Sequence, residues 1–86
     1  MDPTPSDRAT NTAIAEALDE VGPRLKRVRT HRRMTLTGVA ATTGISKSTL
    51  SRLETGQRRP TLELLLALSH TYRVPLDDLV ERFGDG

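Results

Sequence analysis

Residues 34–60 read MTLTGVAATTGISKSTLSRLETGQRRP, and the spacing of hydroxyls, glycines and apolar residues in this stretch decides the fold. Two helix starts share one signature: Met34-Thr35 leads to Val39, and Ile45-Ser46 leads to Leu50. In each, a hydroxyl residue caps the open N–H groups of the first turn, and the apolar residue before it staples onto the fourth helical position. Gly44 stands between them, where a helix commonly ends in the left-handed conformation that glycine adopts without steric penalty. The spacing predicts short helices over 36–43 and 47–54, a tight turn at 44–46, and a second glycine stop at Gly56.

Such a pair is a helix-turn-helix. Upstream, Ile14, Ala17, Leu18 and Val21 recur at helical spacing and predict a short amphipathic helix over 12–21. Gly22-Pro23 reads as an interruption, with Pro23 opening a new helix that runs to about Arg33 and turns Leu25 and Val28 inward. Residues 1–11 (MDPTPSDRATN) are polar and aperiodic, and are expected to form a disordered tail. Downstream, Thr61 caps a fourth helix reaching about Thr71, with Leu62, Leu65 and Leu66 in one stripe and Leu64 and Leu68 in another. That second stripe needs cover, from the helix over 12–21 or from a second protomer. A fifth helix follows Val74-Pro75, carries Asp77 and Asp78 in its first turn, and ends near Phe83 before a flexible end at 84–86. No strand pattern or repeat interrupts this reading. The expected fold is all-α, five helices plus the short N-terminal one, with the helix-turn-helix domain over 22–83.

Composition narrows the chemistry. The chain has no cysteine, which removes disulfides and thiolate metal sites, and His31 and His70 lack ligand spacing. No metal or cofactor is expected. No apolar run approaches the roughly 20 residues of a membrane span, and no signal-peptide pattern opens the chain, so a cytoplasmic setting is expected. No nucleophile triad or glycine-rich phosphate loop is present, so no catalytic residue and no enzyme activity are expected. The net charge of +2 conceals a strong segregation. Residues 1–20 stand at −4 and residues 61–86 at −3, while 21–60 hold ten cations against the single acid Glu54. A +9 segment with three separate basic groups fits a polyanion better than an ordinary solvated face.

The helix after Ser46 divides by side. Leu50, Leu53 and Glu54 share one face, and Lys47, Ser48, Ser51 and Arg52 occupy the other, all of them able to donate hydrogen bonds. A helix fits the major groove, where Arg52 can fork onto guanine O6 and N7 and the two serines permit close approach. Thr49 either offers its methyl to thymine or packs. Glu54, a lone acid on the inward side of a cationic segment, requires a partner.

The segment TGVAATTGISKSTLSRLETGQRRP (37–60), followed by the leucine-rich helix and Val74-Pro75-Leu76-Asp77-Asp78-Leu79, resembles the Cro/C1-type (XRE) helix-turn-helix family of phage and bacterial repressors. The resemblance runs from Leu25 to Leu79 and implies a lambda-repressor-like fold. It implies a recognition helix over 46–54, with Lys47, Ser48, Ser51 and Arg52 in base-reading positions. Phosphate contacts are implied for Thr55, Arg58 and Arg59, with Thr35, Thr37 and Thr49 as further candidates. Arg29 and Glu54 match a pair that joins the first helix to the recognition helix in relatives. One departure concerns the first turn of the second helix, where many relatives place a phosphate-contacting Gln and this chain has Leu36. Arg32 or Arg33 is expected to approach phosphate, with Arg24, Lys26 and Arg27 solvated.

The resemblance further implies a bacterial transcriptional regulator that binds a near-palindromic double-stranded DNA operator as a homodimer. Regulators of this kind often continue into a sensory domain such as a small β-barrel. An alternative of a different class is a protein-interaction module, antitoxin-like or adaptor, that uses the same fold mainly to grip a protein. The cationic face over 46–54 favours DNA.

Overall fold

A computed structural model describes residues 5–80, with side chains described from Thr12 onward. The helices are α1 (Pro5–His31), α2 (Leu36–Thr43), α3 (Lys47–Thr55), α4 (Leu62–Tyr72) and α5 (Leu76–Leu79), and no strand occurs among the described residues. Three of them start on capping hydroxyls. The side chains of Thr35, Ser46 and Thr61 accept from the backbone N–H of Gly38, Thr49 and Leu64 at 2.9, 3.1 and 3.2 Å. Each such cap stabilises its helix by about 1 kcal/mol. Gly44 and Gly56 close α2 and α3 at φ 77° and 80°.

Packing follows from these starts and stops. α1 lies across α3 and reaches α5, α2 packs on α3 and α4, and α4 packs on α5. Their shared core consists of Val21, Leu25, Val39, Leu50, Leu53, Leu65, Leu68, Tyr72 and Leu79. A large apolar side chain fully buried contributes roughly 1.5–3 kcal/mol, so this cluster is the main stabilising term. Met34 and Ile45, the residues before the first two caps, are partly buried against it.

The fold departs from the sequence reading at several places. Gly22-Pro23 does not interrupt; α1 is one helix that carries Pro23 in its interior. Pro23 forfeits one backbone hydrogen bond, at about 3 kcal/mol in a helix interior. Burial on both sides of it outweighs that loss, because Ala17, Val21 and Leu25 form one continuous buried stripe. Gly22 is itself buried against α3, and a β-carbon there would lie 2.5 Å from the Leu53 carbonyl oxygen and 2.9 Å from that of Glu54. The glycine is a point of close approach rather than a stop.

The helix also opens earlier than expected, at Pro5, so residues 5–11, read as part of a disordered tail, are helical. Propagating an existing helix is far easier than nucleating one, and the packed stretch around Ala17–Val21 supplies the nucleus. At the other end, α5 stops at Leu79, since Val80 leaves the helical region (φ −128°, ψ 27°). The expected extension to Phe83 and the flexible end at 84–86 lie outside the described residues. The leucine stripes of α4 are sorted differently too. Leu65 and Leu68 are buried and Leu64 partly so, whereas Leu62 and Leu66 stand open at 62% and 49% exposure.

Candidate nucleic-acid interface

The first turn of α3 fixes the geometry of the candidate surface. Ser46 adopts an extended backbone (ψ 148°), and its hydroxyl accepts from the Thr49 N–H while donating to Thr49 Oγ1 at 2.8 Å. Thr49 is half-buried, and its hydroxyl oxygen accepts in that bond. Leu50 and Leu53, each 2% exposed, anchor the opposite side. The helix is thereby held with Lys47, Ser48 and Arg52 exposed and Ser51 half-buried beside them. Among the described contacts, none ties the side chain of Lys47, Ser48, Ser51 or Arg52 to another part of the fold.

Glu54 is turned away from this surface. Arg29 Nε donates to Glu54 Oε2 at 2.7 Å and Arg29 Nη2 donates to Oε1 at 3.0 Å, with the two side chains 12% and 7% exposed. The third arm, Nη1, donates to the Met34 carbonyl at 2.8 Å. One guanidinium therefore ties α1, α3 and the turn entering α2. The hydrogen bond to Glu54 raises the Arg29 pKa above its ordinary value, against the opposing effect of burial. Tyr72 lies within the field of the pair. Burial, and then the Glu54 charge, push its phenol up to about 12, with Arg29 acting in the opposite direction.

Around α3 stand the other candidates. After Gly56 the chain folds back on one oxygen, with the Gln57 and Arg58 N–H groups 2.9 and 3.2 Å from the Arg52 carbonyl. Arg58 and Arg59 follow, both exposed, next to the end of the helix. Thr35 and Thr37 are exposed at the start of α2, where open N–H groups favour anions. Three of the candidate threonines, Thr35, Thr49 and Thr55, have described hydroxyl bonds, and they differ in what they can offer a phosphate, which accepts and does not donate. Thr35 Oγ1 accepts from Gly38, so its proton is free to donate. Thr49 is in the same condition. Thr55 instead donates to the Ser51 carbonyl at 3.0 Å and the Arg52 carbonyl at 3.3 Å, which occupies its proton. Leu36, at the position of the departure from the family pattern, is partly buried against the core.

Two arginines of α1 and the turn after it stand in settings that the sequence reading did not foresee. Arg24, expected to be solvated, has a side chain only 11% exposed. It reaches the Leu79 carbonyl at 3.2 Å and pairs with Glu20 at 3.7 Å, so it fastens α1 to α5. Arg33 closes the turn after α1 at φ 57°, a left-handed conformation without a glycine to relieve it. Together with exposed Arg32 it presents two cations beside the entry to α2. The signal that could have located Gly22 was the apolar stripe running through Pro23 without a change of phase.

Comparison with known proteins agrees with the geometry. Residues 25–79 match the helix-turn-helix family model. Over 65 residues the chain is 40% identical to the HTH-type transcriptional regulator DdrOP3 of Deinococcus deserti, a match covering 72% of this chain and 50% of that protein. The chain thus spans about half the length of the curated relative it matches.

Proposed function

The chain belongs to the Cro/C1-type (XRE) helix-turn-helix family, and from that premise we propose that it is the sequence-reading domain of a bacterial transcriptional regulator. In this reading α3 enters the major groove of duplex DNA. Arg52 forks onto a guanine, Lys47 reaches a base or phosphate, and Ser48 and Ser51 allow the helix to approach the base edges closely. Arg58, Arg59, Thr35, Thr37 and Thr49 fix the register on the backbone, joined by Arg32 and Arg33. Thr55 is left out of these donors, because its hydroxyl already donates to the Ser51 and Arg52 carbonyls. A cytoplasmic location and a homodimer on a near-palindromic operator belong to the same reading, as does a binding rather than a catalytic role.

The observation that carries it is the placement of charge. Residues 21–60 hold ten cations and one acid, and that acid is turned inward and neutralised by Arg29. The outward face of α3 is left with donors and positive charge alone, which is what a polyanion with acceptor-rich base edges requires. Among the described residues no helix is long and apolar enough to cross a membrane, so these cations do not flank a span.

Fluorescence anisotropy of labelled duplexes against salt tests the electrostatic part. With about six phosphates neutralised, log K should fall against log salt with a slope near −5. A slope near zero would exclude the phosphate contacts named above.

A further inference from the structure

α2 and α3 are joined by residues 44–46, and the side chain just before them reaches into that junction. Thr43 Oγ1 donates to the Val39 carbonyl at 2.8 Å and accepts from the Ile45 N–H at 3.1 Å. Among the described hydrogen bonds, this is the one that the Ile45 N–H makes, and no other side chain of α2 bonds into the turn. Ile45 packs against the core, and Ser46 caps α3 directly after it. The half-buried hydroxyl of Thr43 thus ties the last turn of one helix to the entry of the next.

A threonine bonded to the carbonyl four residues back is ordinary inside a helix. Thr42 has that bond, donating to the Gly38 carbonyl at 3.1 Å from an exposed position. Thr43 makes the same bond and adds the one that leaves the helix. Two adjacent threonines therefore differ in a single respect, the onward bond to Ile45.

That bond bears on the near end of α3. The far end is held by Arg29 and Glu54. Lys47 stands seven residues before Glu54, about 10 Å along a helix that rises about 1.5 Å per residue. A tilt of about 5° about the far end moves Lys47 by about 0.9 Å. A recognition site keeps its geometry only when held to within about 0.5 Å. We infer that Thr43 is a positioning residue, whose hydroxyl fixes the angle at which α3 leaves the turn and so the placement of Lys47 and Ser48. The hold on the helix stands on this geometry alone. Its consequence, discrimination between DNA sequences, rests on the DNA reading proposed above.

Three variants test it. Thr43→Val keeps the shape and removes the hydroxyl, Thr43→Ser keeps the hydroxyl, and Thr42→Val removes a hydroxyl that stays within α2. Without DNA, amide exchange at Ile45 and residual dipolar couplings of the α3 amides read the bond and the orientation of the helix. With DNA, the duplex that the wild-type chain enriches from a randomised pool is titrated beside a scrambled duplex. Thr43→Val should speed exchange at Ile45 and weaken binding to the enriched duplex, each by about tenfold, the scale of one part-buried hydrogen bond. Its α3 couplings should shift relative to those of α2. Binding to the scrambled duplex, which phosphate contacts dominate, should stay within about twofold. Thr43→Ser and Thr42→Val should match wild type in every measurement. Unchanged α3 couplings in Thr43→Val would overturn the inference. Equal losses on both duplexes with a lowered thermal midpoint would overturn it too, since a merely structural residue behaves that way. A reoriented α3 in a chain whose wild type prefers no duplex would keep the hold on the helix and remove the DNA reading.

Discussion

Arg29 grips both carboxylate oxygens of Glu54, through Nε at 2.7 Å and Nη2 at 3.0 Å, and spends its remaining arm on the Met34 carbonyl. The pair connects the helix that carries the basic segment to the helix whose outer face is the candidate reading surface. It also removes the one negative charge of residues 21–60 from that face. Its role is positional: the orientation of α3 depends on it, while neither side chain is available to a ligand.

Glu54→Ala should therefore destabilise the fold by about 3–5 kcal/mol, the range for breaking a buried pair and leaving one charge without its partner. Arg29→Met with Glu54→Leu should cost less than Glu54→Ala alone, since no isolated charge remains. Urea denaturation of the three proteins measures both. A loss below about 1 kcal/mol for Glu54→Ala would show that the pair behaves as a surface salt bridge.

Tyr72 gives a pH signature. Its phenol is held at about 12, above the ordinary value of 10.0. The unfolded chain thus releases this proton first, and the contribution to stability is complete below pH 10 and is lost as pH rises toward 12. Stability should fall across that window by an amount on the order of 2 kcal/mol. Tyr72→Phe should abolish that part of the decline. Tyr72 is the only tyrosine in the chain, so tyrosinate absorbance reports its titration alone.

Gly22 and Gly44 should respond to alanine for different reasons. At Gly22 the new β-carbon meets two backbone carbonyls within 3 Å, which forces α1 away from α3. The gain in helix propensity, about 1 kcal/mol, should be outweighed, leaving a net loss of roughly 1–3 kcal/mol. At Gly44 the space is open and only the conformation (φ 77°) resists, so the loss should be about 1 kcal/mol. Thermal denaturation ranks the two. A stabilising Gly22→Ala would contradict the close approach described here.

The hydroxyls separate as well. Thr35→Val removes a free donor and a helix cap, whereas Thr35→Ser keeps both. DNA affinity should drop with the first and persist with the second. Thr55→Val should leave affinity within about twofold, because its proton already serves the backbone. A large loss from Thr55→Val would mean that the hydroxyl turns to the phosphate on binding.

How much of this was legible in the sequence follows from which signals are local. The caps at Thr35, Ser46 and Thr61 and the stops at Gly44 and Gly56 are chemistry within a few residues, and the structure has them where the spacing places them. Tertiary packing decided the rest. Gly22-Pro23 carries two strong local punctuation marks, and the helix runs through both because one apolar stripe continues across them against α3. Which leucines of α4 turn inward depended on where α2 and α5 pack, and periodicity alone allowed either stripe. Arg24 looked like any surface cation until α5 presented the Leu79 carbonyl to it. Arg33 and Arg73 end helices in the left-handed conformation with none of the residue types that announce it.

The most direct test of the central claim is selection of bound duplexes from a randomised DNA pool, run beside Arg52→Ala at about 0.15 M salt, where non-specific binding is already weakened. The wild-type chain should enrich a near-palindrome with half-sites about 10 bp apart, and the variant should relax one position of each half-site at a loss of about 1–3 kcal/mol in discrimination. Enrichment of no sequence by the wild-type chain, or a motif left unchanged by Arg52→Ala, would contradict the assignment of α3 as the helix that reads bases.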